Sequence, residues 1–320
     1  MTDTRPRRSL VRRLLPWVVG AGILALVISR IPLSAFREAI DQGPHVQLGL
    51  ATIAITTTVL FTDTFATWVG LRALDVVRPI SRVLFVRGAT YVLFLVNYAV
   101  GQGAFGFYLN RTGVSAPRAV GITLFLLGTN LAALLLLTTI AWAIDGPTVL
   151  FPALWWSLVI GSGGFGLYLV IIAIRPRFLA ERAVLAPLFD CGMRGYALAL
   201  VGRLPHTIVI VLGHWVALRV WGIPAPFWAG VTLMPAVAIA SVLPISPAGL
   251  GTTQAAFVVF FGAFATGDPA MRDAHVLAFA IVYFVYGVLA SLLVGLACTP
   301  FARKMGVMPP PAVIEDAAKS

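Results

Sequence analysis

The sequence is a series of long apolar segments separated by short basic ones. Six of these segments are interpreted as continuous helices, and most of them reach the roughly 20 residues that an α-helix needs to cross a bilayer. Runs of this length without regular polar positions are typical of membrane helices rather than of amphipathic surface helices. The pattern therefore predicts six full membrane spans, at residues 14–29, 46–70, 119–144, 153–174, 196–221 and 274–298.

Two further apolar segments, 88–109 and 227–265, are interrupted. The first contains a cluster of glycines, and the second, which has no charged residue, contains the stretch LPISPAGLGTTQ at 243–254. Hydrocarbon cannot solvate free backbone groups, so a helix break at membrane depth must be buried in protein or line a polar cavity. Broken helices of this kind form the binding sites of many transporters. The two segments are therefore predicted to be helical hairpins that carry a binding site.

Composition agrees with a membrane setting. Of the 320 residues, 59% are hydrophobic and 11% charged, and the mean hydropathy is +0.95. The sequence thus predicts an all-α polytopic membrane protein. Its net charge of +11 suits loops that face a membrane surface better than it suits nucleic acid, so no nucleic-acid partner is expected.

Nothing in the sequence has the spacing of a cofactor or metal site. Cys191 and Cys298 are isolated thiols, and no third His or Cys lies near His206 and His214. The glycines at 101–106 match a dinucleotide fingerprint in letters, but no strand precedes them, and close helix packing is the better explanation. We therefore expect neither a cofactor nor a metal ion.

The ends of the chain differ from the apolar middle. Residues 1–13 are basic, and no small-residue cleavage site precedes Arg30, so we expect an uncleaved first span and a cytoplasmic N-terminus. Residues 299–320 carry mixed charges and three consecutive prolines, which favours a cytoplasmic tail with a disordered end. The membrane domain is predicted at 14–298.

The distribution of basic residues favours two hairpins. If both interrupted segments enter and leave on the same side, 18 Arg and Lys residues lie in the cytoplasm and four lie outside. If segment 88–109 crosses once instead, the count becomes 11 on each side. The positive-inside rule therefore supports the hairpins, although a charge count does not distinguish a re-entrant loop from two short crossings.

This topology implies an internal symmetry. The first half, residues 14–144, becomes two spans, a hairpin entered from the cytoplasm and one span. The second half, residues 153–298, repeats that order with its hairpin entered from outside. The complete prediction is six full spans plus two broken or re-entrant helical hairpins arranged as inverted repeats, which is the architecture of transporters with a site near the midplane.

Two blocks of sequence resemble a known family. NYAVGQGAFGFYLNRTGVSAPRAV in the first hairpin and LPISPAGLGTTQAAF in the second are similar to the lysylphosphatidylglycerol synthase transmembrane, or flippase-like, family of bacterial membrane proteins. The resemblance covers about 14–298 and includes no synthase domain. It implies that the protein moves or handles a lipid without transferring an aminoacyl group.

The chain departs from the family pattern at two acidic positions. Gln102, after Gly101, stands where the family has a Gly-Glu pair, and Gln254 stands where it has Gly-x-x-Glu beginning at Gly251. Both acids are replaced by neutral amides. Because carboxylates are the groups best suited to bind an ammonium ion, the departure argues against a cationic lysyl-lipid as the substrate.

The predicted substrate-binding site lies between the two hairpins. The simpler alternatives are a tightly packed kink in the second hairpin, in which Gln254 caps the following helix, and amides that only join helices in the first. One wall of the site is expected from Pro244, Ser246, Gly249, Gly251 and Gln254, and the other from Asn97, Gly101 and Gln102.

Asp63 and Arg203 form a second candidate feature. Asp63 stands alone in an otherwise uncharged span, where an ionised side chain costs roughly 2.5 to 3.5 kcal/mol and therefore needs a partner. Arg203 occupies the equivalent span of the second half at a matching depth. We predict a gating pair that bridges the halves; the alternative is that Arg203 extends to the cytoplasmic interface.

Together these features predict a lipid flippase or transporter in the bacterial inner membrane, with membrane lipids as its partners, and not an enzyme. The alternatives are a membrane enzyme or a scaffold for envelope-lipid synthesis, of polyprenyl or hopanoid type, and a scaffold would bind lipid-synthesis enzymes. An enzyme normally needs clustered acids or a nucleophilic His, and the predicted outer loops hold only scattered acids. The sequence does not define the oligomeric state or the lipid.

Overall fold

The computed structural model describes residues 10–96, 98–145, 152–242 and 246–305. In these ranges the secondary structure is helical, with no strand. Short 3₁₀-helices occur at Pro247–Gly249 and Gly262–Phe264. The α-helices are α1 (Leu10–Ile28), α2 (Leu33–Asp41), α3 (His45–Ala73), α4 (Ile80–Phe94), α5 (Tyr98–Arg111), α6 (Ala116–Asp145), α7 (Pro152–Ile174), α8 (Arg177–Ala180), α9 (Ala186–Asp190), α10 (Gly192–Val220), α11 (Phe227–Val242), α12 (Thr252–Phe261) and α13 (Pro269–Lys304).

Five of the described helices, α3, α6, α7, α10 and α13, are long and apolar enough to cross a membrane. The first predicted span corresponds to α1, which meets the same criterion only when it is counted together with α2. These two helices are bent by 99° relative to each other, and counting them as one span brings the number to six. The chain is therefore an all-α polytopic membrane protein.

Both interrupted segments fold as pairs of short helices. In the first pair, α4 and α5 have 15 and 14 residues; in the second, α11 and α12 have 16 and 10. None of the four reaches the roughly 20 residues of a full span. The two helices of each pair contact each other, so each segment forms a helical hairpin or a broken span.

The centre of the protein is the contact between α3 and α10, which pack along most of their length. Two glycines of α10 permit this approach, because a Cβ atom added at Gly202 would lie 2.8 Å from Val69 Cγ1, and one at Gly213 would lie 2.7 Å from Ile55 Cγ2. Small residues at helix contacts are typical of membrane proteins. The α3–α10 contact therefore places one long helix from each half of the sequence side by side.

The other helices surround this pair in matching ways. In the first half, α3 contacts α4, and in the second half α10 contacts α11. The last helix of each half packs on the other half, with α13 against α3 and α4, and α6 against α10 and α11. Helix α7 lies at the periphery, since Ile160 and Ile174 on it are both 70% exposed.

Candidate functional site

A buried cluster of charged side chains lies at the contact of α3 and α10. Asp63 of α3 is only 3% exposed. Its Oδ2 atom accepts a hydrogen bond from Nε of Arg87 on α4 at 2.6 Å and lies 2.6 Å from Nη2 of the same residue, and its Oδ1 atom accepts from Nη1 of Arg203 on α10 at 2.7 Å. Arg87 and Arg203 are 6% and 4% exposed. One carboxylate is therefore shared by arginines from two different helices.

His206 lies beside this cluster, one turn after Arg203 on α10. Its Nε2 atom is 3.9 Å from Oδ1 of Asp63, and its Nδ1 atom is 3.4 Å from Oγ1 of Thr62. The cluster contains two guanidinium groups and one carboxylate. Its formal charge is thus +1 when His206 is neutral and +2 when His206 is protonated.

The guanidinium of Arg87 is also held by neighbours on the first hairpin. Its Nη1 atom donates to Oε1 of Gln102 at 3.3 Å. Its central carbon lies 5.6 Å from the ring centre of Phe94 and 5.3 Å from that of Phe105, within the range of cation–π attraction. These contacts fix the orientation of Arg87 toward Asp63.

The charged side chains line a cavity of about 300 Å³, a volume at the lower end of pockets that hold small molecules. Seven helices contribute to its wall, including α3 and α4 from the first half and α10, α11 and α13 from the second. Its lining includes many polar side chains. Besides the charged cluster, its polar residues include Thr56, Thr67, Gln102, Asn130, Ser241 and Ser291.

An apolar cleft of about 800 Å³ adjoins this cavity. It lies between α6, α7 and α11, and Leu134 of α6 lines both spaces. Leu131, Trp155 and Ile239 line the cleft and are 42%, 42% and 40% exposed, so the cleft reaches the surface of the helix bundle. A polar interior space and an apolar surface cleft are thus adjacent.

Of the three residues of the first hairpin that were predicted to line the site, Gln102 does line the cavity. Gly101 is buried, and a Cβ atom at this position would overlap the ring of Phe94, so Gly101 serves the packing of α5 on α4. Asn97 lies outside the described residues.

The second hairpin is placed differently from the predicted cavity wall. Of the described residues, Ser246, Gly249, Gly251 and Gln254 are all buried, and none of them lines the cavity. A Cβ atom at Gly249 would lie 2.8 Å from Cα of Ser241, which does line it. This turn therefore lies behind the cavity wall, and Pro244 is outside the described residues.

The turn between α11 and α12 is packed tightly against α1. Ala248, Gly249 and Gly251 all have positive φ, at 48°, 75° and 83°. A Cβ atom at Gly251 would overlap the backbone oxygen of Gly20, which explains the glycine. The side chain of Gln254 accepts a hydrogen bond from the Gly251 N–H at 2.6 Å, which is the capping contact of the alternative interpretation.

Asp63 and Arg203 form the expected ion pair, and its role as a gate stays a prediction. The sequence prediction missed Arg87, because this residue directly precedes the apolar segment 88–109 that was predicted as the first hairpin. In the structure α4 begins at Ile80, directly after Pro79, so Arg87 lies two turns inside a helix. Proline at a helix start was the available signal.

Comparisons with known proteins add no identification. No family model, curated protein or solved structure matched the chain. Within the described ranges, no group of three or more His, Cys, Asp or Glu residues could hold a metal ion. The interpretation of the site therefore rests on its charge, its cavity and the adjoining cleft.

Proposed function

We propose that this protein is a transporter, rather than an enzyme, that moves a phospholipid or related lipid between the leaflets of the bacterial inner membrane. The observation that supports this proposal most directly is the pairing of a charged interior cavity with an apolar cleft at the bundle surface. A lipid has the same two parts, a small polar head and long apolar chains. In this arrangement the head occupies the cavity and a chain occupies the cleft.

The dimensions and exposure of the two spaces suit that division. The cavity is the smaller space and contains the buried charges, whereas the cleft is larger and reaches the surface that faces membrane lipid. Their shared lining residue, Leu134, marks where head and chain would join. Moving a head group through a protein interior avoids the cost of placing it in hydrocarbon, which is the energetic problem that a flippase solves.

The helix arrangement supports the proposed inverted repeats. Three contacts within the first half have counterparts in the second, since α3–α4 corresponds to α10–α11, α4–α5 to α11–α12 and α5–α6 to α12–α13. Contacts between the halves are also matched, with α4–α13 corresponding to α11–α6 and α3–α13 to α10–α6. We therefore propose six full spans and two hairpins related by an approximate two-fold axis that passes near the α3–α10 contact.

Membership of the flippase-like family is part of the same proposal. The amide Gln102, which replaces the acid of the family pattern, points its oxygen at Arg87, and the amide of Gln254 caps a helix. An alternating-access transporter built on inverted repeats must break contacts between its halves. The Asp63–Arg203 pair joins α3 of the first half to α10 of the second, so it is the contact that we propose as the gate.

Transport can be tested by blocking the cleft. Gly161 lines the cleft on α7, whereas a Cβ atom at Gly166, on the same helix, has no neighbour within 4 Å. In proteoliposomes that contain a fluorescent phospholipid, Gly161→Trp is expected to slow movement between leaflets by about tenfold, because the indole fills the chain site. The matched control Gly166→Trp should leave the rate within about twofold of the original protein.

Two outcomes of this assay would contradict the proposal. If both Trp variants move lipid as fast as the original protein, the cleft is not the chain site. If the original protein produces no movement above protein-free liposomes, the transport proposal is wrong.

The proposed topology, with both termini in the cytoplasm, is tested by thiol labelling. Single cysteines at Thr112 and Ala183 should be protected from an impermeant thiol reagent in intact cells, and one at Thr266 should react. Both natural cysteines are replaced for this test, so that only the introduced cysteine can react. The natural Cys191 would in any case react slowly, because burial raises the pKa of its thiol to about 11 and keeps it protonated.

Permeabilised cells provide the control for accessibility, because all three sites should then react. Labelling at Ala183 in intact cells would contradict the proposed orientation.

A further inference from the structure

The charge cluster is not electrically balanced. Asp63 is the sole carboxylate among the described residues that line the cavity, and it faces both Arg87 and Arg203. The undescribed residues inside the two hairpin segments, 97 and 243–245, have no ionisable side chain. At least one positive charge is therefore left over inside the protein. An unbalanced buried charge is costly, and an anion that neutralised it would bind favourably.

Among the described residues, no other acidic side chain lines the cavity. Asp190 pairs with Arg118 and Arg175, and Asp268 caps the first turn of α13. The acids of α2, Glu38 and Asp41, line a separate surface pocket on that helix. The missing negative charge must come from outside the described chain.

A second observation points to a ligand in the same cavity. Thr67 is 0% exposed and lines the cavity, yet its hydroxyl has no hydrogen-bond partner among the described residues. A threonine in a helix normally donates to the carbonyl one turn earlier, and an unsatisfied buried hydroxyl costs free energy. A ligand with several acceptor oxygens would satisfy it.

Arg203 has hydrogen-bonding capacity for such a ligand. A guanidinium has five N–H donors, and the Nη1 atom of Arg203 donates to Asp63. Within the described residues, its Nε and Nη2 atoms donate to no side chain or carbonyl. Arginine binds phosphate well, because the phosphate oxygens match the planar donor geometry of the guanidinium group.

We propose that the cavity binds the phosphate of an anionic lipid head group, held by Arg87, Arg203 and Thr67. This inference rests on the proposed lipid function and gives its substrate class. A phosphodiester carries one negative charge, which equals the excess charge of the cluster when His206 is neutral. Asp63 then orients the arginines and prevents a larger excess of positive charge in the empty site.

The same geometry disfavours head groups that carry an ammonium ion. Both oxygens of Asp63 already accept hydrogen bonds from arginine, and no second carboxylate lines the described cavity. An ammonium group would therefore enter a region of net positive charge. Anionic lipids such as phosphatidylglycerol are expected to bind more tightly than zwitterionic phosphatidylcholine of the same chain length.

Binding is measured as the rise in thermal unfolding temperature of the full-length protein in neutral detergent, since a ligand of the folded state raises that temperature. The ligands are phosphatidylglycerol, phosphatidylcholine and water-soluble glycerol phosphate. The midpoint concentration should be about tenfold or more lower for phosphatidylglycerol than for phosphatidylcholine. Equal midpoints for the two lipids would overturn the inference.

Two variants test the residues. Arg203→Gln removes the excess charge and should weaken phosphatidylglycerol binding by about tenfold to a hundredfold. The control Arg194→Gln removes the same charge from an exposed position and should change binding by less than about twofold. Equal binding by both variants and the original protein would contradict the assigned site.

Thr67→Val keeps the inference testable even if Arg203→Gln does not fold. Valine has nearly the same shape and removes a hydroxyl that lacks a partner among the described residues, so the stability of the empty protein should be unchanged or higher. Its affinity for phosphatidylglycerol should nevertheless fall by about threefold to tenfold. A variant that binds the lipid as well as the original protein would show that the hydroxyl does not contact the phosphate.

The binding measurements and the proteoliposome assay together distinguish this inference from the transport proposal. Selective phosphatidylglycerol binding without movement of lipid in proteoliposomes would support the phosphate site and refute transport. Movement of lipid without any preference for an anionic head group would support transport and refute the phosphate site. If glycerol phosphate protects the protein as well as phosphatidylglycerol does, the phosphate site stands and its ligand is a solute rather than a lipid.

Discussion

Asp63→Asn is expected to lower the free energy of unfolding by about 3–5 kcal/mol, because it leaves two buried guanidinium groups without a carboxylate. The formal charge of the cluster rises from +1 to +2 with neutral His206. Of the two hydrogen bonds at 2.6 and 2.7 Å, one would be lost because an amide NH2 does not accept, and the other would have a neutral acceptor instead of a charged one. Transport should fall with stability, since the same side chains line the proposed head-group site.

Arg203→Gln should be milder for stability than Asp63→Asn. It leaves Asp63 paired with Arg87 and reduces the formal charge of the cluster to zero. The double variant returns the charge to +1, so it should recover part of the stability that Asp63→Asn loses. This order follows from counting buried charges, and it differs from that of an isolated ion pair, in which either single substitution leaves one charge alone.

Thermal or denaturant unfolding in detergent of the two single variants and the double variant measures this cycle. Asp190→Asn is a matched control, because Asp190 is partly exposed and its arginine partners lie 3.6 Å away. Such a pair contributes about 0–1 kcal/mol. If Asp63→Asn were no more harmful than Asp190→Asn, the Asp63 carboxylate would not stabilise the two buried arginines as its geometry indicates.

Gly295→Leu is expected to destabilise the protein by about 3 kcal/mol or more, because it separates α13 from α4. A Cβ atom at Gly295 would overlap Cγ2 of Val92 and lie 3.1 Å from the backbone nitrogen of the same residue. The Cγ2 methyl group of Val92 can rotate away from a new side chain, but the backbone nitrogen of Val92 can move only if the helix moves. The whole α4 helix would shift, and it carries Arg87.

Gly287→Leu is the matched control within α13, since a Cβ atom there has no neighbour within 4 Å. This change should be neutral or slightly stabilising, because leucine is a better helix former than glycine by up to about 1 kcal/mol. Unfolding temperatures of purified protein decide the comparison. Equal stability of the two variants would mean that α4 and α13 are not in close contact in solution.

Four of the five long helices could be predicted from the sequence almost to their ends, whereas α13 extends five residues before and six after the predicted span 274–298. Apolar runs predict α3, α6, α7 and α10 within four residues at every boundary, because twenty consecutive apolar residues have few alternatives to a membrane helix. The first span was less well defined. Its helix is joined to α2 by a 99° bend, and nothing in the apolar pattern indicates that angle.

The candidate site was predictable only in part, because its members come together through tertiary packing. Asp63 is visible as an isolated charge in a span, and its need for a partner on another helix follows from the cost of burying it. Choosing Arg87 as well as Arg203 requires knowledge of where α4 begins. The glycines at 249 and 251 indicated a tight turn correctly, but a sequence does not show which side of that turn faces the cavity.

The shared carboxylate also sets a limit on how far the helices can move relative to one another. Its hydrogen bonds of 2.6 and 2.7 Å are lost once donor and acceptor are about 3.6 Å apart, so a displacement of about 1 Å is enough to break either one. Helix α4 belongs to the first half and α10 to the second. The hydrogen bonds of Asp63 therefore persist only while the two halves stay aligned to within about 1 Å. A larger movement between the halves must leave a buried arginine without its carboxylate partner.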